Sequence, residues 1–100
     1  MKVEFGGEIW YWRGPSPFYF VTVPPDESEE LHTISELVSY GWGMIPVTAN
    51  IGTTTWTTSL FPKNNAYVVP LKRAVRDSEQ LDVGDRVEIS LFIEPTRREP

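Results

Sequence analysis

Cysteine is absent from the 100 residues. Disulfides, thiolate nucleophiles and zinc sites of the CxxC type are thereby excluded, and the absence fits a reducing compartment. Histidine occurs once, as His32; alone, without cysteine, it does not make a transition-metal site. Basic residues are few, nine against fourteen acids, for a formal net charge of −5. That balance opposes tight non-specific nucleic-acid binding, whose free energy comes mainly from cation–phosphate contacts. No stretch reaches the ~20 apolar residues of a membrane helix, and "MKVEFGGEIWYW" lacks the apolar run of a signal peptide. Gly-rich phosphate loops and nucleophile elbows are also missing. A cytoplasmic protein without metal, cofactor or membrane partner is the expectation.

Aromatics, by contrast, are plentiful. They make up 13% of the chain, with four tryptophans, and 40% of residues are hydrophobic. A chain of this size and composition folds as one domain with a modest core, expected over residues 1–94 with a disordered tail at 95–100. Charge is unevenly spread. Asp26, Glu27, Glu29, Glu30 and Glu36 stand together without a cation, and Lys63, Lys72, Arg73 and Arg76 stand together without an acid.

Periodicity places the elements. "EIWYWRG" and "FYFVTV" read as a hairpin about "GPSP", with Trp10 and Trp12 on one face. "PPDESEELHTISELVSYG" is a helix with Leu31, Ile34, Leu37 and Val38 as its apolar stripe. Asp26 or Ser28 is its expected cap, and Gly41 its stop. Ile45, Val47, Ala49 and Ile51 line one strand face, and Thr54, Trp56, Thr58 and Leu60 line a face of the next. Pro62 to Asn65 read as a turn, and "AYVVPL" as a short strand. "LKRAVRDSEQL" reads as a two-turn helix begun by Pro70, with Ala74 and Val75 facing in. Leu71, Val75 and Leu81 should anchor it, leaving Lys72, Arg73 and Arg76 outside. "RVEISLFIE" alternates cleanly after a Gly84–Asp85 turn. The order β-β-α-β-β-β-α-β predicts a mainly β fold: a six-stranded, mostly antiparallel barrel with two covering helices. Each helix is followed by a glycine turn and a β-branched strand, an echo that fits two interleaved halves.

Three pieces, "WYWRGPSPFYFVTVP", "GWGMIPVTANIGTTTWTTSLFP" and "YVVPLKRAVRDSEQLDVGDRVEISL", resemble in order and spacing the bacterial DUF1905 family, over roughly residues 8 to 93. The resemblance implies a small barrel akin to the double-split, swapped-hairpin barrels of AbrB/MazE-type regulators. It implies no activity. Asp77, where a second basic residue is common in the family, weakens a phosphate site.

The stretch "TTTWTTSLFPKNNAYVVPLKRAVR" holds the candidate anion or ligand site: Trp56, Thr57, Thr58, Lys63, Lys72, Arg73 and Arg76. In the functional reading, the three helix cations meet the Thr57 and Thr58 hydroxyls and the first amides of the second helix. In the structural reading, the threonines are strand residues facing water, and Arg76 stacks on Trp56 or pairs with Asp77 or Glu79. The aromatic set Trp10, Trp12, Phe18, Phe20, Tyr40, Trp42 and Trp56 reads as core and barrel rim, or as a ligand pocket. No catalytic residue emerges. The sequence is read as a non-enzymatic module for a protein or small ligand, expected to be a monomer. The alternative is an AbrB-like nucleic-acid binder using the basic second helix.

Overall fold

The computed structural model describes residues 1–14, 18–38 and 43–93. Six strands close into one barrel: β1 (Lys2–Trp12), β2 (Phe18–Thr22), β3 (Ile45–Ile51), β4 (Thr54–Lys63), β5 (Ala66–Pro70) and β6 (Arg86–Phe92). Helix α1 (Pro25–Val38) follows β2, and α2 (Arg73–Glu79) follows β5. The cyclic order is β1-β2-β5-β4-β3-β6, and every neighbouring pair is antiparallel. This is the predicted order of elements. No described helix is long and apolar enough to cross a membrane.

Two long strands make closure possible. The first part of β1 pairs with β6, and its last four residues pair with β2. β4 likewise pairs with β3 up to Leu60 and then with β5. Each therefore turns a corner between two sheets. At the corner of β1 stands Gly7, where an added Cβ would lie 2.7 Å from Val21 Cγ1. Only glycine lets the backbone pass that close.

The two halves, β1-β2-α1-β3 and β4-β5-α2-β6, are related by a pseudo-two-fold axis, since exchanging β1, β2 and β3 with β4, β5 and β6 returns the same cyclic strand order. Val21 pairs with Val69, and the flanking pairs Phe20–Pro70 and Thr22–Val68 exchange when each residue moves by the same offset. Ala49 pairs with Leu91, and Thr48–Phe92 and Asn50–Ser90 exchange in the same way. The two interleaved halves expected from sequence are present.

Alternation fills the interior. Val3, Phe5 and Ile9 of β1 meet Val47, Ala49 and Ile51 of β3, Leu60 of β4, and Val87, Ile89 and Leu91 of β6 in one buried cluster. Each such side chain contributes on the order of 1.5–3 kcal/mol when fully buried. Leu31 closes the cluster from α1 and Leu71 from the approach to α2, with Ile34 and Leu81 packed at its margin. Val75 is also buried, so the predicted anchors of α2 hold. Leu37, Val38 and the stop at Gly41 fall outside the described side chains and residues.

A second apolar layer lies outside the barrel. Trp10, Trp12, Phe18 and Phe20 share the outer face of β1–β2, and Phe61 of β4 joins them. Phe20 is the hub. It is 2% exposed, with four aromatic rings centred 5.3–6.4 Å from its own. Such pairs add about 0.5–1.5 kcal/mol each beyond area burial. The Trp10 indole donates to Thr22 Oγ1 at 2.9 Å. Core and rim thus describe this set better than a pocket. Tyr40 and Trp42 lie outside the described residues.

Four local expectations need correction. Ala74 is exposed, because the seven-residue α2 turns a single buried position, Val75, inward. Helix α1 starts at Pro25, whose missing N–H costs nothing at the first helical position. The first helical bond runs from Ser28 N–H to Pro24 O, so neither Asp26 nor Ser28 is the cap. The β4–β5 turn is made by Asn64 and Asn65, at φ 53° and 65°. Two left-handed residues give the twist a two-residue hairpin needs, and Pro62 sits in β4 opposite Tyr67. Pro70 ends β5 rather than starting α2, whose N-cap is Lys72.

Candidate functional site

Each half of the barrel forms a cleft where the end of its neighbour's hairpin faces the start of a helix. The first cleft lies beside α2. Beyond the buried pair Ile9–Val21, the next inward pair of the β1–β2 hairpin is Tyr11–Tyr19. Their rings meet edge-on at 5.0 Å. Tyr19 is fixed to the α2 approach, since its carbonyl accepts from Leu71 N–H at 2.9 Å. Arg76 then lies over the Tyr19 ring, its guanidinium carbon 3.6 Å from the centroid. Its Nε donates to Leu71 O at 3.3 Å. A stack and a tether together hold the guanidinium in one place. Tyr11, Phe18, Lys72 and Arg73 also border about 270 Å³ of open space.

The cations of this cleft differ in how free they are. Arg73 pairs loosely with Asp77 at 3.5 Å, one turn on and in water. Lys72 has no ion-pair partner among the described residues, and neither terminal nitrogen of Arg76 has a partner there. The predicted contacts of Arg76 with Trp56, Asp77 or Glu79 are replaced by the face of Tyr19.

The other candidate residues stand elsewhere. Thr57 faces outward on β4 opposite Thr48, by a shallow groove with Pro46 and Phe92, and Thr58 stands at its edge on the inward side opposite Val47. Trp56 points inward opposite Ala49 and packs, half-buried, against the core. Its buried indole N–H has no acceptor among the described residues. Lys63 lies over Trp12, 5.0 Å from the ring centroid, on the outer layer. The structure therefore brings Lys72, Arg73 and Arg76 together and leaves Trp56, Thr57, Thr58 and Lys63 apart from them. The hydroxyls that do reach α2 are those of Thr53 and Thr54, both bonded to Glu79, with Thr54 also 2.8 Å from Ser78. They pin the end of α2 to the β3–β4 turn. Gly52 makes room for that lock: its φ is +59°, and an added Cβ would lie 2.4 Å from Glu79 Oε1.

Tyr11 and Tyr19 were missed by sequence reasoning, yet a signal was there. "WYW" and "FYF" mirror each other across the hairpin, pairing Trp12 with Phe18, Tyr11 with Tyr19 and Trp10 with Phe20. In each triplet the tyrosine is the one aromatic whose face differs from its neighbours.

The second cleft lies beside α1 and encloses about 660 Å³. Asp26, Glu29 and His32 face it from the helix, and Lys63, Asn64, Asn65 and Tyr67 from the β4–β5 hairpin. Its floor is tied by Ser28, which is buried. Ser28 Oγ donates to Val23 O at 3.0 Å and accepts from Tyr67 N–H at 3.2 Å. No group of three or more metal-ligating side chains occurs among the described residues.

No curated protein matches the chain. A family model described as a domain of unknown function, DUF1905, matches residues 5–91. That span runs from the corner-turning first strand to the last strand, both clefts included, and the chain belongs to the DUF1905 family.

Proposed function

We propose that the domain is a non-enzymatic binding module that takes a small anionic ligand in the cleft beside α2. The observation that carries this reading is Arg76, stacked on Tyr19 and tethered to Leu71 O, with its terminal nitrogens left without a partner among the described residues. A guanidinium held in place before binding loses little entropy on meeting an oxyanion. Lys72, without an ion-pair partner among the described residues, adds a second cation at the same wall. Among the described residues the closed barrel leaves no unpaired edge strand for a second copy, which supports a monomer.

The test is an amide-resolved NMR titration of the domain with acetate and with inorganic phosphate at low salt. Shifts confined to Tyr11, Tyr19 and residues 71–76 support the reading. No shift with either anion ends it. A second reading, single-stranded nucleic acid, is favoured by the exposed aromatics Tyr11 and Phe18 beside Lys72 and Arg73. The net charge of −5 opposes it. An oligonucleotide that binds more tightly than phosphate, with an affinity falling steeply with salt, would move the assignment there.

A further inference from the structure

We infer that the ligand of the α2 cleft is an aromatic monocarboxylate: one flat ring joined to one carboxylate by a short spacer. This deepens the anion reading above and rests on it. Three observations narrow the class. The first is geometric. A guanidinium fixed by the Tyr19 face and by its Nε bond offers its remaining N–H groups as a planar fork. A carboxylate matches that fork with two parallel bonds.

The second observation is the hydrocarbon opposite the cations. Tyr11, on the cleft side of the hairpin with Tyr19, is 41% exposed. Its ring meets Tyr19 edge-on at 5.0 Å. The ring keeps further apolar surface in water. A flat ring laid against Tyr11 recovers that surface at the moment the carboxylate reaches Arg76.

The third is size and charge. About 270 Å³ accommodates one ring with a short acid side arm, below the usual range for drug-sized ligands. Arg73 is partly engaged by Asp77, leaving Lys72 and Arg76 as the cleft cations without an ion-pair partner among the described residues. A chain of net charge −5 repels polyanions at long range, so a monoanion loses least on approach.

The same chemistry is offered by a free arylalkanoate and by the C-terminal aromatic residue of a peptide. The experiment is an NMR titration of the whole chain with phenylacetate, cyclohexylacetate, acetate and N-acetylphenylalanine. Phenylacetate should shift the amides of Tyr11, Tyr19 and residues 71–76 and bind about tenfold tighter than acetate. Cyclohexylacetate, equally apolar but not flat, should fall between. Tyr11→Leu should bring phenylacetate close to cyclohexylacetate. Lys72→Ala, an exposed position outside the core, should weaken every carboxylate by about threefold to tenfold without loss of fold. Tighter binding of N-acetylphenylalanine than of phenylacetate assigns the site to peptide termini; the reverse assigns it to free acids. If acetate binds as well as phenylacetate, the anion site stands and the aromatic class is overturned. If phenylacetate shifts only the α1 cleft, the aromatic class is likewise overturned. If no carboxylate and no phosphate binds, both readings fall together.

Discussion

The pseudo-two-fold axis sets the two clefts side by side for comparison. Tyr19 and Tyr67 occupy matching places in β2 and β5, and each is tied to the segment that leads into a helix. Leu71 N–H donates to Tyr19 O, and Val23 N–H donates to Tyr67 O. Four residues into each helix a side chain reaches back five positions to a carbonyl. Ser28 reaches Val23 O in one half, and Arg76 reaches Leu71 O in the other. One backbone device is thus carried by a short neutral side chain and by a long cation. The serine leaves its cleft open at about 660 Å³, while the arginine lies across its tyrosine and leaves about 270 Å³. The fold sets where a cleft forms; at this position one cleft carries a buried hydroxyl and the other a cation.

Exchanging the two residues tests that comparison most severely. Ser28→Arg should cost more than about 4 kcal/mol, because it forces a charge and extra volume into a buried site. Arg76→Ser should cost only about 1 kcal/mol, the worth of one hydrogen bond and a half-exposed cation–π contact. Denaturant titrations of both variants decide it. Equal losses would mean that the halves do not use the position differently.

The anchors give the next largest contrast. Leu31 is fully buried under α1, and Val75 is the only buried residue of α2. Leu31→Ala should destabilise by roughly 2–5 kcal/mol and Val75→Ala by roughly 1–3 kcal/mol, each leaving a cavity. A Val75→Ala loss as large as that of Leu31→Ala, seen as a shift in midpoint at constant slope, would show that the short helix carries as much of the core as the long one.

Much of this was legible in sequence. β6 alternates from Val87 to Ile93 because one face meets the core and the other meets water. β3 and β4 were readable for the same reason: Ile45, Val47, Ala49 and Ile51 pair across to Leu60, Thr58, Trp56 and Thr54 on the inward face. The β1–β2 hairpin was harder, since both of its faces are aromatic and alternation cannot say which is inside. The site failed to assemble from sequence for a different reason. Arg76 finds its partner on Tyr19, which only the β2–β5 pairing brings near. Thr57 and Thr58 lie close to α2 in sequence but on another part of the barrel wall.

Two smaller effects mark the edges of the comparison. Arg73→Ala should change stability by about 0.5 kcal/mol or less, because its pair with Asp77 is solvated. Its effect on carboxylate binding should also stay below that of Lys72→Ala. A larger stability loss in a denaturant titration would make Arg73 a structural residue rather than a rim charge. The β1–β6 seam belongs to neither cleft. There Glu4 accepts from Lys2 and from Ser90 Oγ, each at 3.2 Å, and the Lys2 bond above all holds its carboxyl below the ordinary glutamate value. With the folded-state value depressed, this contribution is present above the unfolded value and fades as pH falls through the folded one. Carboxyl-detected NMR should find Glu4 titrating at lower pH in the native chain than in urea, and Ser90→Ala should narrow that difference.

The seam has a further consequence in how the chain is threaded. Met1 and Ile93 exchange two backbone hydrogen bonds, both of 2.8 Å, so residues 92 apart in sequence are neighbours in space. As a path the barrel is almost a loop, and its starting point is a matter of convention. A circular permutant that links residue 93 to residue 1 by a few glycines and opens between Asn64 and Asn65 would keep every strand pair outside that turn. In it the β4–β5 hairpin would lose its connection, while the β1–β2 hairpin and the Tyr11–Tyr19 wall would stay continuous.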